Sequence, residues 1–76
     1  MRELKLTPKE HEVFLRLVEK RLNELDMSVD DLAVALDVSK QSIYNYRTDR
    51  SRTPSKYLGG KIATYLDISL GDIRRG

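Results

Sequence analysis

The sequence predicts an all-α fold of four to five short helices, compact and contained in one domain over residues 1–76. Two patterns predict it. Apolar residues recur at three- and four-residue spacing along most of the chain, which is the spacing of one helical face. Between these stretches, a Ser or Thr is followed three residues later by a Glu or Asp, a pattern typical of helix starts. The chain of 76 residues has no cysteine, so helix packing rather than disulfide bonding must stabilise it.

The first helix is predicted over residues 8–25. Thr7 is suited to the N-cap, Pro8 to the first helical position, and Glu10 completes a capping box with Thr7. Residues 1–6 alternate polar and apolar, which fits an arm, a short strand or a frayed lead-in. The apolar face of the helix consists of Val13, Phe14, Leu17, Val18, Leu22 and Leu25.

The second helix is predicted to begin after a cap at Ser28 and to end near Leu36. Ser28 and Asp31 have the spacing of a second capping box. Asp37-Val38 is the predicted turn into the third helix. A tight turn of this kind usually needs a left-handed Gly, and Asp is one of the few other residues that tolerate that conformation.

The third helix is predicted to begin at its cap, Ser39, and to run to about Arg47. Ile43 and Tyr46 fall on one side of it and are expected in the core. With the second helix it forms a helix-turn-helix core over about residues 28–48. The polar side, which is expected to face outward, carries Lys40, Gln41, Tyr44, Asn45 and Thr48.

A polar loop over residues 48–54 is predicted to lead into a fourth helix that starts at Thr53-Pro54. Gly59-Gly60 lies inside this helix, where each Gly costs about 1 kcal/mol relative to Ala. Either the helix starts later, or its backbone is closely approached at this pair. The apolar side of the helix is expected to carry Tyr57, Leu58, Ile62, Ala63 and Leu66.

A short fifth helix is predicted over residues 69–73, followed by a mobile tail at residues 74–76. The stretch at residues 65–69 echoes residues 35–39, and we interpret both as the same order of helix end, turn and cap. Three apolar residues near this end either form a patch between two copies of the chain or close the core of one copy: Ile68, Leu70 and Ile73.

Charge is distributed unevenly along the chain, although the formal net charge is only +2. Residues 1–38 carry six Lys or Arg and nine Asp or Glu, whereas residues 39–76 carry eight and three. The basic half begins at the third helix, which suits a polyanion such as nucleic acid. The alternative is an ordinary solvated surface on which the charges are segregated by chance.

The outward face of the third helix matches the edges of DNA bases in the major groove. Gln can bind N6 and N7 of adenine through two hydrogen bonds, and Lys can reach O6 and N7 of guanine. Lys40 and Gln41 lie in the first turn, which is the end that enters the groove in helix-turn-helix proteins. Asn45 shares a face with Gln41, whereas Tyr44 either contacts DNA or packs on its neighbours at the surface.

Positive and hydroxyl side chains after the third helix are suited to phosphate contacts. Arg50, Ser51, Arg52 and Lys56 cluster there, and the start of the fourth helix adds free backbone N–H groups. The alternative is a solvated polar loop. The start of the second helix differs, because Asp30-Asp31 would repel a phosphate placed close to it.

No pattern in the sequence favours an enzyme. The single histidine, His11, has acidic neighbours and is expected to be a solvated side chain rather than a base. No nucleophile with a partnering base, no metal-ligand spacing and no phosphate-binding glycine loop is present, so neither a metal nor a cofactor is expected. The sequence contains no apolar run of membrane-spanning length and no secretory signal. We therefore expect a cytoplasmic protein.

Residues 11–73 resemble the helix-turn-helix domain of phage lambda repressor and Cro-type regulators. A small residue, a turn residue and a buried Ile stand at the offsets of that family, here Ala33, Asp37 and Ile43. The matching residues are Leu32-Ala33, Leu36, Val38-Ser39, Gln41-Ser42-Ile43, Tyr46, Pro54, Ile62-Ala63, Leu66 and Ile68-Ser69.

The resemblance implies five helices, DNA binding through the third helix and control of transcription, usually by a homodimer on a palindromic operator. The alternative function is that of a protein-interaction module on the same fold, antitoxin-like or an adaptor, which the acidic first half of the chain leaves open. The positions that contact bases in the family correspond to Ser39, Lys40, Gln41, Tyr44, Asn45 and Thr48.

The chain departs from the family pattern at three places. Asp37 replaces the usual turn Gly, and Val29 replaces a common Gln that contacts a phosphate. Arg47 stands where the family has an acidic residue, and Asp49 replaces the Gly that follows. Because Arg47 makes the end of the third helix more basic, we include it among the expected phosphate contacts.

Overall fold

The computed structural model describes residues 3–48 and 55–75. These residues form five α-helices and no β-strand, so the prediction of an all-α fold is confirmed. The helices, in chain order, are α1 (Pro8–Glu24), α2 (Val29–Leu36), α3 (Lys40–Thr48), α4 (Lys56–Leu66) and α5 (Leu70–Arg75).

Three connections in the described part of the chain use one local device, which we call the Leu-Asp turn. It has the sequence Leu-Asp-apolar-Ser and occupies residues 25–28, 36–39 and 66–69. The Asp of each is left-handed, with φ between 54° and 57°. The N–H of the next residue then donates to the carbonyl five residues back, with N···O distances of 2.9, 3.1 and 2.9 Å. These bonds satisfy carbonyls at the helix end that would otherwise lack partners.

The Ser of each Leu-Asp turn caps the helix that follows. Its hydroxyl accepts a hydrogen bond from the backbone N–H three residues later, at 3.1 Å in all three turns. The apolar residue before the Ser and the residue four positions after it occupy the places of a hydrophobic staple. Both belong to the core or pack against it. The pairs are Met27 with Leu32, Val38 with Ile43 and Ile68 with Ile73.

The core lies where α1 packs on α4 and α5, and where α2 packs on α3 and α4. Phe14 and Leu32 are completely buried in it, as is Leu66. The amphipathic spacing predicted for α1 is confirmed at Phe14, Val18 and Leu22, which all face the core.

Residues 3–6 form a non-helical segment that lies against the start of α4, as an arm would. Leu4 donates a backbone hydrogen bond to the carbonyl of Lys56 at 2.9 Å, and Leu4 and Leu6 are buried. A Cβ added to Gly59 would lie 2.6 Å from the hydroxyl oxygen of Tyr46. Of the two explanations for the glycine pair, close approach to the backbone is therefore correct at Gly59.

The predicted start of the fourth helix was wrong. α4 begins at Lys56 and is capped by Ser55, whose hydroxyl accepts from the N–H of Leu58 at 3.4 Å. Thr53 and Pro54, which were expected to start the helix, lie outside the described residues. Ser55 replaces them as the cap because its hydroxyl has the spacing that a free N–H of the first turn requires.

The C-terminal apolar residues do not form an exposed dimer patch. Ile68 and Ile73 are 4% and 2% exposed, and Leu70 is partly buried. The alternative, in which they close the core of one copy, is correct, because Ile68 and Ile73 are the staple pair of α5. The expected mobile tail is likewise corrected at Arg74 and Arg75, which belong to α5, while Gly76 lies outside the described residues.

Candidate nucleic-acid interface

The two faces of α3 are oriented as the sequence predicts. Ile43 and Tyr46 are 2% and 3% exposed and point into the core. The opposite face is open to solvent at every position proposed to contact bases. These exposed residues are Ser39, Lys40, Gln41, Tyr44, Asn45 and Thr48.

Two of these six residues use their hydroxyl groups within the protein. The hydroxyl of Ser39 accepts from the N–H of Ser42 at 3.1 Å and lies 2.8 Å from the hydroxyl of Ser42. The hydroxyl of Thr48 donates to the carbonyl of Tyr44 at 3.0 Å. Ser39 is thus first of all the cap of α3, and its O–H stays available as a donor where Ser42 donates in the bond between the two hydroxyls. The oxygen of Thr48 keeps only acceptor capacity, which suits a donor group on a base and not a phosphate.

Gln41 and Asn45 are joined on the outer face of α3. The amide nitrogen of Gln41 donates to the side-chain oxygen of Asn45 at 2.9 Å, across one turn of the helix. The bond leaves Gln41 with one N–H donor and its carbonyl oxygen, and leaves Asn45 with two N–H donors. One donor and one acceptor on the same amide are the groups that the adenine edge requires.

Lys40 is paired with α2. Its ammonium nitrogen lies 3.2 Å from a carboxylate oxygen of Asp30 and 5.8 Å from the centre of the Tyr44 ring. Asp31 has another role, because its carboxylate accepts from the N–H of Ser28 at 3.1 Å in the capping box of α2. The two acids at the start of α2 therefore act differently.

The basic residues expected near phosphates are only partly described. Arg47 is exposed in the last turn of α3. The ammonium of Lys56 lies 3.4 Å from the carboxylate of Glu3 and 5.2 Å from the ring centre of Tyr57. Lys56 is therefore paired with the N-terminal segment through Glu3. The other three expected contacts, Arg50, Ser51 and Arg52, lie outside the described residues.

His11 was wrongly expected to be a solvated surface side chain. It is 2% exposed, and its Nε2 lies 3.0 Å from the carbonyl oxygen of Tyr46. Because a carbonyl only accepts, Nε2 must carry the proton. The imidazole also packs edge-on against the Tyr46 ring, with 4.7 Å between ring centres. His11 therefore ties α1 to the end of α3 and helps to fix the orientation of that helix.

The sequence contained a signal for this role. His11 precedes Phe14, Val18 and Leu22 by three, seven and eleven residues, so it lies on the same helical face. Among residues 3–48 and 55–75, no group of three or more His, Cys, Asp or Glu side chains is placed to bind a metal ion. None of the helices in the same residues is long and apolar enough to cross a bilayer.

Comparison with known proteins identifies the family. A helix-turn-helix family model matches residues 17–73, which is well over half of the chain and includes α2 and α3 entirely. No curated protein and no solved structure matches the chain significantly. The match agrees with the left-handed turn at Asp37, the cap at Ser39 and the buried Ile43. The chain belongs to the lambda repressor-like helix-turn-helix family, a family of DNA-binding regulators.

Proposed function

We propose that the protein is a sequence-specific transcriptional regulator, a repressor of the phage or bacterial type, that binds double-stranded DNA in the cytoplasm. In this proposal α3 enters the major groove. The supporting observation is the rotation of that helix, which buries Ile43 and leaves Lys40, Gln41 and Asn45 exposed on one face. Side chains of these types at the start of a helix suit base recognition in the major groove.

The proposal assigns base contacts and phosphate contacts to separate residues. Base contacts come from the exposed face of α3 and its cap, which carry Ser39, Lys40, Gln41, Tyr44, Asn45 and Thr48. Phosphate contacts come from Arg47 and Lys56 and from the segment between α3 and α4, which contains Arg50, Ser51 and Arg52. Binding of Lys56 to a phosphate would replace its ion pair with Glu3. Exposed ion pairs of this kind are weak, so the exchange costs little.

Two copies of the chain are proposed to bind a palindromic operator. The described residues together extend over about 26 × 23 × 22 Å. Half-sites one helical turn apart are separated by about 34–36 Å. Two copies therefore fit side by side on one face of the duplex, each with its α3 in one half-site.

Selection from a random duplex library at near-physiological salt tests the function. We expect a palindromic sequence to be enriched, with an affinity that falls steeply as salt is raised. An adaptor or antitoxin-like protein would instead show no preference for any duplex. That result would exclude the regulator and favour the protein-interaction module.

Substitutions then test the assignment of contacts. Gln41→Ala is expected to keep the fold and to lower discrimination at one base pair by about 1–3 kcal/mol. Asn23→Ala, which removes an exposed amide at the end of α1, is the matched control and should leave discrimination unchanged. Arg50→Ala and Arg52→Ala should weaken binding to all sequences alike and reduce the salt dependence. A change in sequence preference with either Arg variant would contradict their assignment to phosphate.

A further inference from the structure

The ion pair between Asp30 and Lys40 connects the first turns of the two helices of the motif. The 3.2 Å distance joins the second residue of α2 to the first residue of α3. Both side chains remain more than half exposed, at 62% and 56%. The pair therefore lies at the open surface beside Gln41, where it can contact a ligand of α3.

A lysine that is held in this way differs from a free lysine. A free Lys side chain samples many rotamers and acts as a mobile point charge that any nearby phosphate attracts. Here the ammonium lies next to both Asp30 and the Tyr44 ring, and these two contacts, each weak at an exposed site, together favour one position at the front of α3. Of its three N–H donors, one points to the carboxylate and two remain. Two donors at one place match the O6 and N7 acceptors of guanine.

The carboxylate of Asp30 adds selectivity of its own. It repels a phosphate that would otherwise take Lys40 away from the bases. The two remaining donors of Lys40 then match the O6 and N7 acceptors of the guanine in a G·C base pair, whereas an A·T pair offers a methyl group and a different order of donors and acceptors.

We propose that Asp30 and Lys40 form one unit that recognises a single G·C base pair in each half-site, with Asp30 as a positioning residue for Lys40. The inference rests on the proposed function and deepens it. By its charge alone, Asp30 would only weaken DNA binding. In the proposed unit Asp30 still lowers the affinity for DNA in general, but it also raises selectivity at one base pair.

Asp37→Asn provides a matched control. Asp37 lies in the turn between the same two helices, and its substitution removes the same unit of charge. Its left-handed conformation, with φ 56°, is one that Asn tolerates. Asp31 is less suitable, because its carboxylate is part of the capping box of α2.

The experiment measures dissociation constants for the selected duplex and for duplexes changed at one base pair at a time, at fixed salt. Wild-type protein should discriminate at the G·C position by about 5-fold to about 150-fold. Asp30→Asn should remove most of that discrimination and strengthen binding to unrelated duplexes. Asp37→Asn should strengthen binding in general and keep the discrimination. Asp30→Glu should retain part of the discrimination that Asp30→Asn loses. Thermal unfolding should show that each variant is folded.

Lys40→Gln and the double variant complete the test. Lys40→Gln should lose discrimination at the same base pair, and adding Asp30→Asn should cause no further loss there. The proposal is overturned if Asp30→Asn changes affinity but not discrimination, if Asp37→Asn has the same effect, or if the two residues affect different base pairs. Absence of any enriched duplex would instead refute the proposed function, and the two failures are therefore distinguishable.

Discussion

The start of α3 and the start of α5 are built alike and differ in their surface. Each follows a Leu-Asp turn with a left-handed Asp, a Ser cap and a staple Ile. The first two residues of α3 are Lys40-Gln41, whereas those of α5 are Leu70-Gly71. The third is Ser42 in α3 and Asp72 in α5. The backbone device is the same, so the difference in chemistry lies in these three positions.

The comparison separates what folds the chain from what would bind DNA. In α5 the third position completes a capping box, in which the Asp72 carboxylate accepts from the N–H of Ser69 at 3.0 Å. In α3 the same position carries a neutral Ser42, so the helix starts without an acidic residue in its first turn. α3 thereby lacks the stabilisation that an acid gives to a helix start. The first turn of α3 therefore adds no negative charge of its own to the surface proposed to face DNA.

The largest expected effect comes from the residue that the two starts share. Ile43→Ala and Ile73→Ala each remove a staple side chain that is 2% exposed. We expect each to lower the free energy of unfolding by about 2–5 kcal/mol, as for other buried Ile residues. Chemical denaturation measures the change. Val34→Ala, at a site 81% exposed, is the control and should change stability by less than about 0.5 kcal/mol. A near-neutral result for Ile43→Ala would mean that α3 is turned the other way.

Replacement of Gly59 or Gly71 by Ala is expected to have the next largest effect on stability. A Cβ at Gly59 would lie 2.6 Å from the Tyr46 hydroxyl, and the Tyr46 ring is held by edge-on contacts with His11 and Phe14. Gly59→Ala should therefore destabilise the protein by about 1–3 kcal/mol, as overpacking does. A Cβ at Gly71 would meet only the hydroxyl of Ser69, at 3.6 Å. Gly71→Ala should stabilise the protein by up to about 1 kcal/mol through helix propensity.

The double variant Tyr46→Phe, Gly59→Ala identifies the cause of the Gly59 effect. Removal of the hydroxyl leaves the ring carbon that carried it 3.3 Å from the new Cβ, so part of the cost should disappear. A double-mutant cycle from thermal or chemical denaturation measures this coupling. Additive effects would show that Gly59 is required for another reason than its contact with Tyr46.

Exchange of the third position between the two helices tests the separation of folding and binding. Ser42→Asp gives α3 the acid that α5 has, and should stabilise the protein by up to about 1 kcal/mol. The same change should weaken binding to every duplex, because a carboxylate then stands at the helix start that is proposed to enter the groove. The reciprocal Asp72→Ser should lower stability and leave DNA affinity unchanged. Equal DNA affinity in both variants would place the binding surface away from the start of α3.

Local rules made most of this fold predictable. The capping boxes at Thr7 and Ser28, the left-handed Asp37 and the cap at Ser39 all follow from residue type and spacing, and the structure confirms them. The internal echo between residues 35–39 and 65–69 did not reveal the third Leu-Asp turn, at residues 25–28. It differs from the other two at its apolar residue, which is Met27.

Tertiary contacts account for what the sequence did not show. His11 is polar, and its burial depends on a carbonyl of α3 that lies 35 residues further along the chain. The pairing of Asp30 with Lys40 likewise depends on the angle between α2 and α3, which spacing alone does not give. Helical spacing indicates that His11 lies on the buried face of α1, but the partners in these two contacts are not predicted by any local pattern.

The smallest expected difference between the two helix starts is their response to pH. The backbone N–H of Ser69, then its hydroxyl and the Arg75 guanidinium, lower the pKa of Asp72 below its usual value of 3.8. A lowered pKa in the folded state means that ionised Asp72 stabilises the fold above that usual value, and that this contribution is lost as pH falls through the lowered pKa. Ser42 does not titrate in this range, so the first turn of α3 has no matching loss.

Amide hydrogen exchange, followed residue by residue from about pH 6 to about pH 2.5, measures the difference. After correction for intrinsic rates, the first turn of α5 should lose protection below about pH 4, while that of α3 keeps its own. The start of α1 should respond as well, because the Thr7 backbone N–H is the main group that lowers the pKa of Glu10. Asp72→Asn should remove the pH dependence at α5 and retain it at α1. Simultaneous loss of protection at α3 and α5, unchanged in Asp72→Asn, would mean that the domain opens as a whole and that the two helix starts are not independent.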